Sequence, residues 1–396
     1  MSNRLFRVSV LASLLAVSLQ LSAADKPRAR TLGIPFDGTP GPLNAITDVA
    51  GVEVGYTTLI SGDGPLVVGK GPVRTGVTAI LPRGHTSLDD AVYAGYFSLN
   101  GNGELTGTAW IEESGFLEGP VILTNTHSVG VARDAVIAWH LAHGKPDTEG
   151  LSWRWKIGGA LPVVGETWDG WLNDVNGFHV KPEHVFHALD SAKSGPIAEG
   201  SVGGGTGMVC YEFKGGTGTA SRVIDKKNGG YTVGVLVQAN FGRRPQLTIA
   251  GIPVGREIPE NEFLSHDAGS ALVVVATDAP LLPNQLKRLA RRVSLGLART
   301  GHISGDSSGD LFIAFSTANP GAEYPKTAVN SVQTLSNEKL DPLFEATVEA
   351  VEEAVINALV ANQSMTGRDN HKVEALPHDR VRELLRNHDR LLPTGG

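Results

Sequence analysis

The chain has 396 residues, of which 41% are hydrophobic and 19% are charged. This composition supports a large buried core and excludes a disordered chain. The formal net charge of −7 argues against nucleic acid as a partner, and the single cysteine, Cys210, excludes an intrachain disulfide and is expected to be a small buried residue.

The first element in chain order is an export signal. Arg4 and Arg7 form a basic start, residues 8–21 are apolar, and residues 22–24 are small and suited to cleavage. The apolar part is shorter than the roughly 20 residues that a membrane-spanning helix requires, and no later segment qualifies. The pattern predicts a signal peptide over residues 1–24 and a mature protein that is periplasmic or secreted and not held in a membrane.

Short strands and one helix follow in the first half of the chain. Residues 52–56 and 76–81 are strand-like runs separated by Gly, Pro and Asp. Residues 120–126 predict another strand, and it leads into a helix over residues 128–143 with Ser128 as the N-cap. A strand followed directly by a helix indicates an α/β fold.

The middle of the chain adds a helix, a glycine-rich stretch and two buried strands. The helix is predicted over residues 183–192. The glycine-rich residues 200–207 lack the Gly-Lys-Ser/Thr ending of a phosphate-binding loop, so we interpret them as close-packed turn backbone. Residues 231–238 and 271–277 are β-branched apolar runs that predict buried strands.

The last third of the chain is mainly helical. Residues 284–299 carry apolar side chains on one face, and the basic side chains around them are more typical of a solvated face than of an anion site: Lys287, Arg288, Arg291 and Arg292. Asp341 as N-cap and Pro342 in the first turn begin the longest predicted helix. The sequence shows no internal repeat, so these elements predict one layered α/β body.

The dipeptide Gly269-Ser270 opens the apolar run over residues 271–276 and allows two interpretations. It is typical of a turn that leads into a buried strand. It also fits an internal N-terminal nucleophile, because cutting before Ser270 would give one residue both a hydroxyl and a free α-amine. An α-amine has a pKa of about 8, so it can accept a hydroxyl proton near neutral pH.

Two other constellations give weaker signals. Residues 305–309 satisfy the G-x-S-x-G pattern, but the strand-like run after them does not match the helix that follows a nucleophile elbow. This turn, which is rich in hydroxyls and carboxylates, could instead support a nucleophile elsewhere. His140 and His143 lie one helical turn apart, but without an H-E-x-x-H pattern they more often complement a helix dipole than bind a metal.

The segment over residues 166–174 is unusual because it combines acids, amides and two tryptophans. Glu166 beside Trp168 and Trp171 could form a pocket for a substrate ammonium group. The same residues could equally form a structural loop whose acids accept hydrogen bonds. Composition alone leaves both interpretations open.

Several of these motifs occur in an order and at separations that are similar to those of one known family. They are residues 123–126 (LTNT), 166–174 (ETWDGWLND), 238–242 (QANFG), 269–270 (GS), 276–280 (ATDAP) and 308–310 (SGD). The chain resembles the β-peptidyl aminopeptidases and L-aminopeptidase/D-amidase-esterases over nearly its whole mature length. The resemblance implies an α/β fold, an αββα sandwich of N-terminal-nucleophile type like that of the ornithine acetyltransferases.

The resemblance also implies self-processing and assembly. A single catalytic domain over residues 25–396 would cut itself before Ser270 into chains 25–269 and 270–396. These chains would stay associated as a two-chain protomer, and the family resemblance suggests a homotetramer of such protomers.

The resemblance assigns roles to residues that match the family motifs. Ser270 is the nucleophile, its freed amine is the base, and Asn240 helps to form the oxyanion hole. Ser308 and Asp310 orient the nucleophile and stabilise the charged amine, and Glu166 receives the free amino group of the substrate. No metal or organic cofactor is required.

The sequence departs from some family members at Trp168, where they carry a tyrosine. Indole donates a hydrogen bond but has no hydroxyl that can exchange a proton, so a tyrosine-dependent contribution is in doubt. We expect a hydrolase that releases N-terminal β-, L- or D-residues through an acyl-Ser270 intermediate. The alternatives are an endo-acting oligoamide hydrolase, an acyltransferase of the ornithine acetyltransferase type, and a non-catalytic binding protein.

Overall fold

A computed structural model describes residues 26–143, 161–265, 269–323 and 328–393. The predicted signal peptide lies outside the described residues. The described residues contain two large β-sheets, two short hairpins and seven α-helices.

The two large sheets differ in size and in strand order. The smaller sheet has four strands in the order β1 (Glu53–Ser61), β2 (Val73–Leu81), β5 (Val121–Asn125) and β6 (Val163–Thr167). The larger sheet has six strands in the order β4 (Phe116–Leu117), β3 (Val92–Gly101), β12 (Gly309–Ser316), β11 (Ser270–Thr277), β10 (Thr232–Asn240) and β9 (Gly216–Val223). The short hairpins are β7 (Val209–Cys210) with β8 (Phe213–Lys214), and β13 (Met365–Thr366) with β14 (Lys372–Val373).

The helices connect and cover these sheets. They are α1 (Thr108–Ser114), α2 (Val129–His143), α3 (Pro182–Asp190), α4 (Val254–Glu257), α5 (Pro283–Arg299), α6 (Asp341–Val360) and α7 (His378–Asn387). None of the helices in the described ranges combines the length and the apolar character that crossing a bilayer requires.

The two sheets pack face to face around a shared apolar layer. Ile80 and Leu123 of the smaller sheet meet Leu236, Leu272 and Ile313 of the larger sheet there. Strand β11 is buried on both faces, because side chains alternate along a strand and its even-numbered residues point into this layer. That double burial explains the continuous apolar run that follows Ser270 in the sequence.

Helices cover the outer face of each sheet. On the smaller sheet, Trp139 of α2 and Leu189 of α3 pack with Ile122. On the larger sheet, Leu289 of α5 and Val351 of α6 pack with Val273 of β11. The layers therefore follow the order helix, sheet, sheet, helix, as the predicted αββα sandwich requires.

The glycine-rich stretch is close-packed backbone, as predicted. Gly203–Gly205 form a buried 3₁₀ turn. A Cβ atom on Gly204 would overlap the Gln238 side chain and lie 2.6 Å from the carbonyl oxygen of Leu123. The stretch thus closes the gap between the sheets, and Cys210 is buried, as expected, in the core of the larger sheet.

The starts of two predicted helices differ in detail from the sequence prediction. Ser128 directly precedes α2 but lies in a 3₁₀ turn, Thr126–Ser128, and that turn is capped by Oδ1 of Asn125, which accepts from the backbone N–H of His127 at 3.1 Å. Asp341 is the first residue of α6 and not its N-cap, because a preceding 3₁₀ turn puts Leu340 in that position with helical dihedral angles.

The basic side chains of α5 cover neighbouring aromatic rings and remain partly solvated, consistent with the predicted solvated face. The guanidinium of Arg292 lies 3.8 Å from the ring centre of Phe344, and that of Arg291 lies 5.5 Å from the ring of Phe97.

Candidate active site

Strand register brings the predicted catalytic residues together at one end of the larger sheet. Ser270 is the first residue of β11. Asn240, the last residue of β10, is its antiparallel partner, and Gly309, the first residue of β12, is its parallel partner. Residues far apart in the sequence therefore flank the Ser270 hydroxyl.

One backbone donor serves both Ser270 and the peptide bond before it. The Gly309 N–H lies 3.2 Å from the carbonyl oxygen of Gly269 and 3.3 Å from Oγ of Ser270. The hydroxyl and the carbonyl that it would attack are thus held on the same N–H group.

Gly269 occupies a position where a side chain does not fit. A Cβ atom there would overlap the carbonyl oxygen of Asn240 and lie 2.5 Å from Cα of Phe241. Glycine allows the backbone before Ser270 to lie directly against the end of β10.

Asp310 is the centre of a buried hydrogen-bond network beside Ser270. Its Oδ1 accepts from Oγ of Ser308 at 2.8 Å and from the backbone N–H of Ala271 at 3.0 Å. Its Oδ2 accepts from Oγ of Ser304 and lies 2.9 Å from Nε2 of His302. The network ties Ala271, the neighbour of Ser270, to the turn that carries Ser304 and Ser308.

These contacts decide the protonation of Asp310. Burial by itself would raise the pKa of the carboxyl, but the hydrogen bonds and charge of His302 and the hydroxyls of Ser304 and Ser308 outweigh it. The pKa of Asp310 is therefore below its ordinary value, and the carboxylate is ionised at neutral pH.

The Asn240 side chain is held in one orientation. Its Oδ1 accepts from the backbone N–H of Val209 at 2.8 Å, and its Nδ2 donates to the carbonyl oxygen of Trp168 at 3.0 Å. An amide NH₂ group has two hydrogens, so Asn240 retains the capacity to donate a second hydrogen bond.

Glu166 comes from the smaller sheet and is buried. It is the parallel partner of Thr124 in the β5–β6 register. Its Oε2 accepts from Oγ1 of Thr126, and its Oε1 accepts from the backbone N–H of Glu104 at 3.1 Å. Burial raises the pKa of Glu166, and the hydrogen bonds from Thr126 and Glu104 offset part of this effect. A buried carboxylate with few donors suits a cationic partner.

An open cavity of about 660 Å³ is lined by residues of both sheets. We call it the catalytic cavity; its lining residues are Asn102, Thr126, Glu166, Trp168, Gly269, Ser270 and Ser307. Glu166 and Ser270 therefore face one volume, which suits a small substrate that carries an amine near a reactive carbonyl.

The segment over residues 166–174 is part cavity wall and part buried loop. Trp168 is 41% exposed and lines the catalytic cavity. Asp169 is fully buried and accepts from Nδ2 of Asn173 at 3.0 Å, and burial raises the pKa of Asp169 to about 7. Glu166 and Trp168 thus line the catalytic cavity, whereas Asp169 belongs to the buried part of the loop.

The sequence pattern of peptidase family S58 matches residues 44–373. The chain belongs to peptidase family S58.

Characterised relatives and solved structures agree with this membership. The β-peptidyl aminopeptidase BapA of Sphingosinicella microcystinivorans is 54% identical over 385 aligned residues, which cover 93% of this chain and 94% of that protein. The L-aminopeptidase D-Ala-esterase/amidase from Ochrobactrum anthropi has a TM-score of 0.86 at 48% identity, covering 92% of this chain and 100% of that one. A β-aminopeptidase from a Burkholderia species has a TM-score of 0.83 at 47% identity, covering 91% and 99%.

The O. anthropi structure is described as a prototype for the serine aminopeptidases and as a new variant of the N-terminal-nucleophile hydrolase fold. This S58 peptidase shares that fold, which confirms the fold class predicted from its sequence. It is a hydrolase of peptide bonds with the aminopeptidase function of its family.

Sequence reasoning missed several residues of the S58 site. His302 and Ser304 were not singled out, although they lie in the same glycine- and serine-rich turn as Ser308. The Gly309 N–H was also missed, because a backbone donor leaves no mark on residue type.

The described ranges contain no group of three or more His, Cys, Asp or Glu side chains arranged for a metal ion. The two histidines at the end of α2 are engaged elsewhere. Nε2 of His140 lies 3.3 Å from a carboxylate oxygen of Asp89, and Nδ1 of His143 lies 2.8 Å from the carbonyl oxygen of Trp139.

Proposed function

We propose that this S58 peptidase is an exported serine aminopeptidase that cuts its own chain between Gly269 and Ser270 and then uses Ser270 as an N-terminal nucleophile. The observation that carries the proposal is the shared Gly309 N–H, which contacts both the Gly269 carbonyl oxygen and the Ser270 hydroxyl.

Self-cleavage would proceed as an acyl shift followed by hydrolysis. Oγ of Ser270 attacks the Gly269 carbonyl carbon, the C–N bond breaks, and the acyl group moves from nitrogen to oxygen. Water then cleaves the ester, giving a Gly269 carboxylate and a Ser270 that has a free hydroxyl and a free α-amine. The Gly309 N–H would donate to the developing oxyanion, and a donor in such a position is worth about 3 kcal/mol.

Turnover would reuse the same groups on a second carbonyl. The α-amine of Ser270 takes the hydroxyl proton and returns it to the leaving amine. Asn240 donates to the oxyanion, and Ser308 with Asp310 holds the backbone beside the nucleophile and offers negative charge to the protonated amine. Water releases the acyl group from Ser270, with no metal or organic cofactor.

Glu166 would select substrates that have a free amino end. Its buried carboxylate shares the catalytic cavity with Ser270, so a substrate ammonium that binds there presents the first carbonyl to the nucleophile. Suitable substrates are short peptides, amides and esters. The names of the relatives support β-, L- and D-residues as candidates for the released residue.

The proposal includes maturation and location. Residues 1–24 are removed as a signal peptide, and chains 25–269 and 270–396 form the protomer of a periplasmic or secreted homotetramer. The support is the basic, apolar and small-residue order at the N-terminus, together with the family resemblance.

A denaturing gel with N-terminal sequencing tests the nucleophile. Wild-type protein should give two bands, and the smaller should begin Ser-Ala-Leu-Val-Val-Val. Ser270→Ala should give one inactive band. Ser294→Ala, which removes a hydroxyl from α5, is the matched control and should process normally. An intact wild-type chain with full activity would refute the proposal.

The same preparations separate the alternatives. An endo-acting oligoamide hydrolase would cleave substrates whose amino end is acetylated, which Glu166 should disfavour. An acyltransferase of the ornithine acetyltransferase type would transfer the acyl group to an added amine faster than to water. A binding protein would bind ligand without turnover.

A further inference from the structure

A second, smaller pocket lies next to the catalytic cavity and shares a lining residue with it. We call it the aromatic pocket, and define it by Trp171, Val209, Phe241, Phe263 and Leu264. Trp168 lines both cavities, and Asn240 and Gly242 complete the lining of the second. No lining residue of the aromatic pocket carries a charge.

The aromatic pocket begins where the residue on the acyl side of the reaction would sit. Gly269, the acyl-side residue of the chain's own cleavage site, lies against the backbone of Asn240 and Phe241. Both of these residues line the aromatic pocket. The acyl-side position and the aromatic pocket therefore share the wall formed by Asn240 and Phe241.

The other groups of a substrate already have places in the catalytic cavity. Its ammonium group binds at Glu166 and its carbonyl carbon lies at Ser270, both in the catalytic cavity. The side chain of the same residue then needs a separate, apolar volume. Resting on the proposed function, we propose that the aromatic pocket binds the apolar side chain of the residue that the enzyme releases.

A buried carboxylate holds the wall of this pocket in place. Oε2 of Glu212 accepts from the backbone N–H groups of Phe263 and Leu264, the latter at 2.9 Å, and Oε1 accepts from that of Arg244 at 3.0 Å. Glu212 is 1% exposed, and its φ of +60° places it in the left-handed region that glycine favours. A strained, buried acid that fixes two adjacent N–H groups indicates a preformed wall.

Stacking fixes the same wall from the other side. The rings of Phe263 and Trp171 are stacked with centres 4.7 Å apart, and Trp171 stacks in turn on His371 at 4.3 Å. These anchors all precede Gly269 or lie far beyond Ser270, so the proposed cut leaves the pocket intact.

Substitutions at Leu264 test the pocket in both directions. Leu264→Trp should fill it and Leu264→Ala should enlarge it. The probes are p-nitroanilides of L-alanine, L-leucine and L-phenylalanine, and of β-homoglycine and β-homoleucine, which share one leaving group. Leu295→Trp, a substitution at an exposed site on α5, is the control and should leave the selectivity unchanged.

We expect Leu264→Trp to lower the ratio of kcat/KM for the large side chain to that for the small one by about tenfold or more, mainly through KM. Leu264→Ala should raise the ratio for phenylalanine over alanine. The two-band pattern on a gel identifies folded, processed variants for the comparison. An equal change for large and small side chains, or no change, would overturn the assignment.

A second series places the pocket on one side of the scissile bond. Alaninamide, Ala-Leu and Ala-Phe keep the released residue constant and vary the leaving group. If Leu264→Trp selectively lowers kcat/KM for the substrates with larger leaving groups, the proposal is overturned. Wild-type protein that stays one chain and hydrolyses none of the probes would instead refute the proposed function itself.

Discussion

Nε2 of His302 lies 2.9 Å from Oδ2 of Asp310, and their side chains are 1% and 0% exposed. The imidazole also packs on Phe241, with ring centres 4.3 Å apart. Nδ1 of His302 is buried and finds no hydrogen-bond acceptor among the described residues. Nε2 is therefore the ring nitrogen through which His302 contacts Asp310.

His302→Leu should shift the pH dependence of activity. Without the imidazole donor, the pKa of Asp310 rises, because burial then outweighs the remaining hydrogen bonds. Asp310 works as an anion, so the acidic limb of the kcat/KM profile should move to higher pH, and kcat at neutral pH should fall about tenfold. Steady-state assays across the pH range measure both.

His302→Gln is the matched control because its amide can still donate a hydrogen bond toward Asp310. It should restore most of the wild-type pH profile. If both variants lose activity equally at every pH, His302 acts only through packing on Phe241 and does not position Asp310.

Glu166→Gln should weaken the binding of substrates that have a free amine. Losing the charged partner of an ammonium costs about 1.5–3 kcal/mol, which is roughly a 10- to 100-fold loss in kcat/KM. The loss should appear chiefly in KM, and self-cleavage should continue, because Gly269 presents no amine to Glu166. A variant that processes normally but binds free-amine substrates like wild type would contradict the assigned role.

The wild-type enzyme should show the same dependence through pH. Burial raises the pKa of Glu166, so the carboxylate takes up a proton at a higher pH than an ordinary glutamate does. KM for free-amine substrates should therefore increase on acidification before an unperturbed glutamate would titrate. A KM that stays constant down to the ordinary glutamate range would exclude this dependence.

Gly269→Ala should slow self-cleavage by at least about tenfold. The added methyl group must move away from Asn240 and Phe241, which withdraws the Gly269 carbonyl from the Gly309 N–H. Gly130→Ala, on α2 where a Cβ atom meets no atom within 4 Å, is the control and should process at the wild-type rate. A time course of precursor conversion after cell-free synthesis measures the difference. Equal rates would show that close approach at Gly269 is unnecessary.

Glu353→Ala should destabilise the fold by about 3 kcal/mol. Glu353 is buried with Arg222 at 2.9 Å and also accepts from Arg30, so its removal leaves a buried guanidinium without that partner. The neighbouring Glu352→Ala breaks a more exposed pair with Arg299 and should cost under about 1 kcal/mol. Urea unfolding in the Ser270→Ala background, where the chain should remain single, compares the two. Similar losses of unfolding free energy in the two variants would show that burial of the ion pair does not determine its contribution to stability.

The sequence predicts the strands and the nucleophile end of the site because their signals are local. The apolar run after Ser270 reflects a strand buried on both faces, and the family motifs place Asn240 and Asp310 beside it. The contact between His302 and Asp310 depends on the path of the intervening turn, which residue types do not encode. Trp168 and Asp169 are neighbours in the sequence, but the first side chain lines a cavity and the second is buried. This difference depends on how the loop packs in the fold, which residue types alone do not show.

The strand order of the larger sheet has a consequence for the order of maturation. Strands β11 and β12, which follow the proposed cut, lie between β10 and β3, which precede it, with eight paired residues along each of the two boundaries. Neither product is a self-sufficient folding unit, since separation would expose two unpaired edges in the middle of a sheet. If the proposed cut occurs, folding should therefore precede it, and two halves synthesised apart should not assemble readily into the same sheet.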